Sequence, residues 1–127
     1  MNKARTPARL IYGLLWLVFG LNFFFNFLPQ PADAMPEAAM KFLGGLMAAP
    51  YFMPLVKVTE IAVGIMLLAN IAVPLALVVI SPIVLHILLF HTILAPSGAA
   101  IALVMTAFNV FLGIAYWNQF KPLFKKA

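Results

Sequence analysis

Long apolar stretches, broken by a few polar residues at fixed depths, set the pattern of this chain. Four runs stand out, over about 10–28, 51–69, 71–94 and 99–117. Each is long enough to cross ~30 Å of hydrocarbon as a helix at ~1.5 Å per residue. The runs lack the apolar/polar alternation of membrane strands. Asn70 and Pro74 punctuate the second connection, and Ala95-Pro96-Ser97-Gly98 the third, where Ser97 is placed to cap the fourth helix. Because these two connections are short, the second, third and fourth helices are predicted to be antiparallel neighbours.

The first connection is longer. Its 35–47 stretch carries apolar Met35, Phe42, Leu43, Leu46 and Met47, with Glu37 and Lys41 spaced as an i,i+4 pair. With Asp33 as a cap and Pro36 in the first turn, it reads as a short helix on the outer surface. The Gly44-Gly45 pair weakens the far end of that helix. The predicted fold is therefore an all-α membrane protein. It is a four-transmembrane-helix bundle with a short outward-facing surface helix between helices one and two, forming a single domain over 1–127.

Composition agrees. Of 127 residues, 65% are hydrophobic and 9% charged, against ~25% charged in soluble domains, and the mean hydropathy is +1.09. This excludes an ordinary globular enzyme, a disordered tail and a nucleic-acid module. The absence of cysteine excludes disulfides, thiol redox chemistry, cysteine-ligated zinc and iron–sulfur clusters. Lys3, Arg5 and Arg9 followed by an apolar run, with Ala32-Asp33-Ala34 downstream, imitate a secretory signal. The run is ~19 residues, however, where a signal core has ~7–15, so it reads as a permanent first helix.

Six of the eight cations flank the outermost spans: Lys3, Arg5, Arg9, Lys121, Lys125 and Lys126. By the positive-inside rule both termini are cytoplasmic, with the cations at anionic headgroups and Tyr116 and Trp117 as interfacial anchors.

In that orientation the intramembrane polar residues fall in the outer half. Asn26 and Asn22 lie ~3 and ~9 Å below the outer end of helix one, Lys57 and Glu60 ~9 and ~13 Å into helix two. His91 and His86 lie ~5 and ~12 Å below the end of helix three, Thr106 and Asn109 ~10 and ~15 Å into helix four. Ionisable groups at such depths are candidate functional residues. Lys57 and Glu60, three apart, can neutralise one another, and an internal ion pair that fixes packing competes with a ligand-contacting role. His86 and His91 project ~140° apart on a regular helix and cannot chelate one metal without a local bulge. A haem would need a second axial histidine on another helix. No metal site is therefore expected, and a histidine bonded to Glu60 or to a ligand carbonyl is the better reading, with His86 level with Glu60. For Asn22, Asn26 and Asn109 interhelical hydrogen bonding competes with a site role. The candidate ligand-binding residues are Asn22, Lys57, Glu60, His86 and His91, roofed by 35–47, with Asn26, Thr106 and Asn109 behind them.

The stretches Phe19-Gly20-Leu21-Asn22, Pro54-Leu55-Val56-Lys57-Val58-Thr59-Glu60 with Gly64, Leu88-Leu89-Phe90-His91 and Ala95-Pro96-Ser97-Gly98 resemble the DoxX family. These are small four-helix bacterial membrane proteins. The resemblance implies a bacterial inner-membrane location and a quinone or redox connection, and supplies no reaction. With no cysteine and no long periplasmic domain here, thiol or thiosulfate chemistry would require a partner subunit.

Two functions stand as expectations. One is binding of a small hydrophobic molecule, a quinone or a lipid, in an outward-facing polar pocket linked to membrane redox chemistry. The alternative is a non-catalytic accessory subunit of a larger membrane oxidoreductase complex. The expected partners are the lipid bilayer, membrane redox subunits and a second copy in a homo-oligomer, with no nucleic acid. A through-pore is disfavoured because the inner half offers no polar path, and no stand-alone catalytic motif is visible.

Overall fold

A computed structural model describes residues 2–28 and 35–125. The order is α1 (Asn2–Phe25), α2 (Glu37–Met47), α3 (Phe52–Ala69), α4 (Val73–Leu89) and α5 (Ala99–Ala115), then the short α6 (Trp117–Phe120). A π turn, Phe90–Leu94, prolongs α4, and a 3-10 turn, Pro96–Gly98, leads into α5. Among the described residues four helices are long and apolar enough to cross a membrane: Lys3–Phe25, Phe52–Ala69, Val73–Leu94 and Pro96–Ala115. The chain is an all-α, four-span membrane bundle, with α2 as the short helix between the first two spans. Each span keeps an exposed apolar face, as at Leu14, Ile65, Val78 and Val110, where a soluble bundle would carry charge.

Element boundaries differ from the sequence reading where local chemistry decides. The first span begins well before residue 10, because Lys3, Arg5 and Arg9 are good helix formers despite their charge. It stops at Phe25, because Asn26 enters the left-handed region (φ 52°) and returns its N–H to the Asn22 carbonyl at 2.7 Å. Asn70 (φ 58°) ends α3 in the same way. Ser97 does not cap the last span: Gly98 occupies that position and no side chain bonds the helix start. Asp33 and the Ala32-Asp33-Ala34 stretch lie outside the described residues, and α2 begins behind Pro36 without a side-chain cap. The Glu37–Lys41 pair forms at 3.4 Å.

The tightest seam joins α1 to α3. A Cβ on Gly64 would stand 2.7 Å from the Leu17 amide nitrogen and 2.8 Å from the Gly13 carbonyl. A Cβ on Gly13 would meet Leu67 at 2.9 Å. Backbones that approach so closely gain dispersion contact, the principal glue between helices in lipid.

Below this seam, at the end carrying both termini, the bundle is densely filled by Tyr12, Trp16, Val63, Leu67, Ile80 and Leu112, none more than 1% exposed. Polar braces cross it. The Tyr12 hydroxyl donates to Asn109 Oδ1 at 2.9 Å, Asn109 Nδ2 to Ser81 Oγ at 3.1 Å, and Ser81 Oγ to the Leu77 carbonyl at 2.6 Å, tying α1, α5 and α4 together. Arg9 is also buried rather than at the headgroups. Its guanidinium donates to the Leu67 carbonyl and, at 3.4 Å, to that of Leu68. These are carbonyls at the C-terminus of α3, which have no partner within the helix and sit at the negative end of its dipole. Arg5 lies 4.8 Å over the Tyr116 ring, so Tyr116 is buried and only Trp117 faces outward.

Candidate functional site

The opposite end of the bundle is open. A cavity of about 630 Å³ lies between the spans and beneath α2. The first three turns of α3 present Met53, Val56, Lys57 and Glu60, spaced at i, i+3, i+4 and i+7 along one face. On α1, Asn22, Phe19 and Trp16 line it at steps of three, Trp16 lying deepest, ~9 Å below Asn22. On α4 the lining is Pro82, Ile83, His86 and Ile87, continued by Phe90 and His91 of the π turn. Phe42, Leu43 and Leu46 of α2 cover the opening, while Ala39 of α2 seats against Phe90 and Ala95. All five principal candidates, Asn22, Lys57, Glu60, His86 and His91, therefore face one cavity. Asn26, Thr106 and Asn109 do not. Asn26 terminates α1, Thr106 bonds the Ala102 carbonyl of its own helix at 2.8 Å, and Asn109 belongs to the brace at the other end.

Glu60 is 2% exposed, and its two carboxylate oxygens lie 3.3 and 3.4 Å from Lys57 Nζ. Lys57 is the member open to the cavity, its side chain 21% exposed. The expected bond between His86 and Glu60 is not made. Equal depth fixes height along a helix but not direction around it, and the carboxylate is already satisfied by a lysine one turn away. His86 instead lies among rings: Phe42 at 5.2 Å and Phe90 at 6.2 Å between centroids. Phe42 and Phe90 in turn approach to 5.9 Å, so two phenylalanines and the imidazole form an aromatic rim under α2.

The ~140° separation of the two histidines on a regular helix would leave only one facing inward. The π turn changes this. Bonds such as Ala95 N–H to the Phe90 carbonyl at 2.9 Å close a wider loop with a smaller angular step, and His91, near its start, lines the cavity together with His86. The turn is stabilised from the side, since His91 Nδ1 donates to the Ala95 carbonyl at 3.3 Å. Gly98 leaves room for the imidazole, because a Cβ there would overlap its ring atoms.

Asn22 uses its Oδ1 locally, accepting the Leu28 N–H at 2.7 Å as the chain leaves α1. This is neither an interhelical bond nor a pure ligand role; the residue closes a turn and lines the cavity at once. Sequence reasoning misses Trp16 and Phe90 as site residues and places Phe42 only as part of the 35–47 roof. The first is legible in principle, since Phe19 and Trp16 continue the helical face that Asn22 marks. The other two need the tertiary placement of α2.

Among the described residues no group of three or more histidine or acidic side chains could hold a metal ion. What the arrangement offers is an apolar slot with one buried ion pair at its side and two imidazoles near its mouth. No known protein family, curated protein or solved structure matches this chain.

Proposed function

We propose that this protein binds a small hydrophobic molecule, a quinone or a lipid, in the cavity under α2, in the manner implied by its resemblance to the DoxX family. The observation that carries the reading is the cavity itself. It has about 630 Å³, within the ~300–1,000 Å³ of ligand sites, and walls that are mostly aliphatic and aromatic with a few convergent polar groups. A dense core at the other end makes an accidental packing defect a poor explanation. The site serves membrane redox chemistry in a bacterial inner membrane, with both termini cytoplasmic and α2 on the outer face. The cations flanking the first and last spans support that orientation.

Two experiments test this. Molecules co-purifying with the protein are extracted into organic solvent and identified by mass spectrometry, beside a Val56→Trp variant whose indole fills the slot. A quinone or lipid species enriched with the natural chain and lost in the variant is expected. Equal recovery from both would transfer the case to the accessory-subunit reading. Single cysteines at Asn2 and Glu37 are expected to react with impermeant reagents from opposite sides of the membrane, the latter from outside.

A further inference from the structure

The polar groups of the cavity are unequally matched. Glu60 has both oxygens on Lys57 and is nearly sealed from the cavity. An ammonium carries three donors and Lys57 makes one hydrogen bond, to Glu60 Oε1 at 3.4 Å, with Oε2 in ion-pair contact at 3.3 Å, so it retains donors for a ligand and is the exposed member of the pair. Asn22 spends its Oδ1 on Leu28, and no bond is formed by its Nδ2 among the described residues. Trp16, 1% exposed and deepest on the α1 wall, has an indole N–H without a hydrogen-bond partner among the described residues. The groups left over on these three residues are therefore all donors. The site's net charge is nonetheless zero at this pair, because the lysine is neutralised at 3.3 Å.

Resting on the reading that the cavity takes a hydrophobic molecule, we propose that the head group it holds is an uncharged hydrogen-bond acceptor, a carbonyl on an apolar body, and that the Lys57–Glu60 pair rejects carboxylates. A neutral carbonyl accepts from Lys57 without disturbing Glu60. An anion that takes Lys57 leaves the Glu60 carboxylate facing a second negative charge in a low-dielectric site, where stranding a buried charge is costly.

The chain has two tryptophans. Trp117 lies at the terminus end, so Trp117→Phe leaves Trp16 as a reporter inside the cavity. This protein, in detergent at pH 9.5, where the acyl carboxyl is ionised even at a micelle surface, is titrated with a brominated fatty-acid methyl ester and with the same brominated acid, each as mole fraction in the micelle. Bromine quenches indole fluorescence on contact. The ester is expected to quench saturably, at a mole fraction about tenfold below that of the ionised acid, a modest share of the penalty for stranding the carboxylate. Adding Glu60→Gln, which frees the lysine charge, is expected to reverse the order.

The neutral arm is repeated with an isoprenyl benzoquinone, which quenches indole directly; the tighter neutral ligand tells whether the apolar body is acyl or prenyl. Acid binding as well as ester in the Trp117→Phe protein overturns the neutral-acceptor proposal while leaving the hydrophobic-ligand reading intact. Saturable quenching by none of the ligands overturns both. If Glu60→Gln does not fold, the double variant Lys57→Met with Glu60→Gln takes its place. It must narrow the ester-to-acid ratio, and an unchanged ratio removes the ion pair from the selectivity.

Discussion

The two ends of this bundle are built from the same four spans and solve opposite problems. At the terminus end, side chains interlock and three polar side chains are each tied to another helix: Arg9 to α3, Tyr12 to α5, Asn109 to α4. At the α2 end the spans part around a cavity, and polar groups are satisfied within their own segment: Lys57 with Glu60, Asn22 with Leu28, His91 with Ala95. The difference teaches where the stability of such a small membrane protein resides. Long-range braces hold one end shut, so that local bonds suffice where space must stay open.

The sharpest challenge to this contrast is at Glu60, the one deeply buried charge of the open end among the described residues. Glu60→Gln should cost about 3–4 kcal/mol by stranding Lys57, whereas Lys57→Met with Glu60→Gln should be nearly neutral. Thermal melts in detergent compare the two. A double variant less stable than the single one would mean that each charge has its own partner.

Matched truncations probe packing directly. Leu67→Ala, at 0% exposure in the closed end, is expected to cost about 3 kcal/mol. Leu46→Ala, on the cavity roof, should cost less than about 1 kcal/mol because neighbours on one side are already missing. Equal losses would show that the cavity is collapsed in the membrane.

Arg9→Met keeps the apolar stem and removes the guanidinium from the α3 carbonyls. A loss of about 2 kcal/mol is expected in the same melts, the worth of a charge-assisted bond. Arg5→Lys is a milder test of the same end, since a cation over Tyr116 is retained.

Glycines give the smallest and most contrasting pair. Gly64→Ala forces a Cβ against α1 backbone and should cost about 1–2 kcal/mol. Gly44→Ala meets nothing within 4 Å and should leave stability unchanged or raise it by about 0.5–1 kcal/mol through helix propensity. Reversed signs would place the tight seam on the wrong helix pair.

The architecture is legible in the sequence because hydrophobic length speaks directly to the membrane. Four spans and a surface helix arise from runs that no other environment would require. The meeting of Asn22, Lys57, Glu60, His86 and His91 at one cavity is legible as a shared depth. Their bonding is not. Depth carries no azimuth, so it pairs Glu60 with His86 although Lys57, on the same helix as the carboxylate, already holds it. Arg9 looks like a headgroup anchor because its position in the chain is that of a basic flank; the α3 carbonyls it caps are 58 and 59 residues away. Ser81 and Tyr12 carry no signal of their own, since their partner is a single asparagine on a third helix. The π turn is foreseeable only as the bulge that a shared histidine site would need, and nothing in Phe90–Leu94 announces it.

That wide turn amounts to a phase shift written into the chain. Everything before it keeps ordinary helical pitch, and everything after it arrives one residue late. Thr92 sits within it with its side chain exposed, its hydroxyl bonded back to the Leu88 carbonyl of its own helix. Its identity is therefore nearly free, while its presence is not. Replacing Thr92 by valine leaves the cavity as it is; deleting it turns the bond from the Ala95 N–H to the Phe90 carbonyl into an ordinary i→i−4 bond and closes the wide turn. Ala95 then keeps its seat beneath α2, and the change falls on His91 and its neighbours inside the turn. In this stretch the length of the chain carries more information than the letters in it.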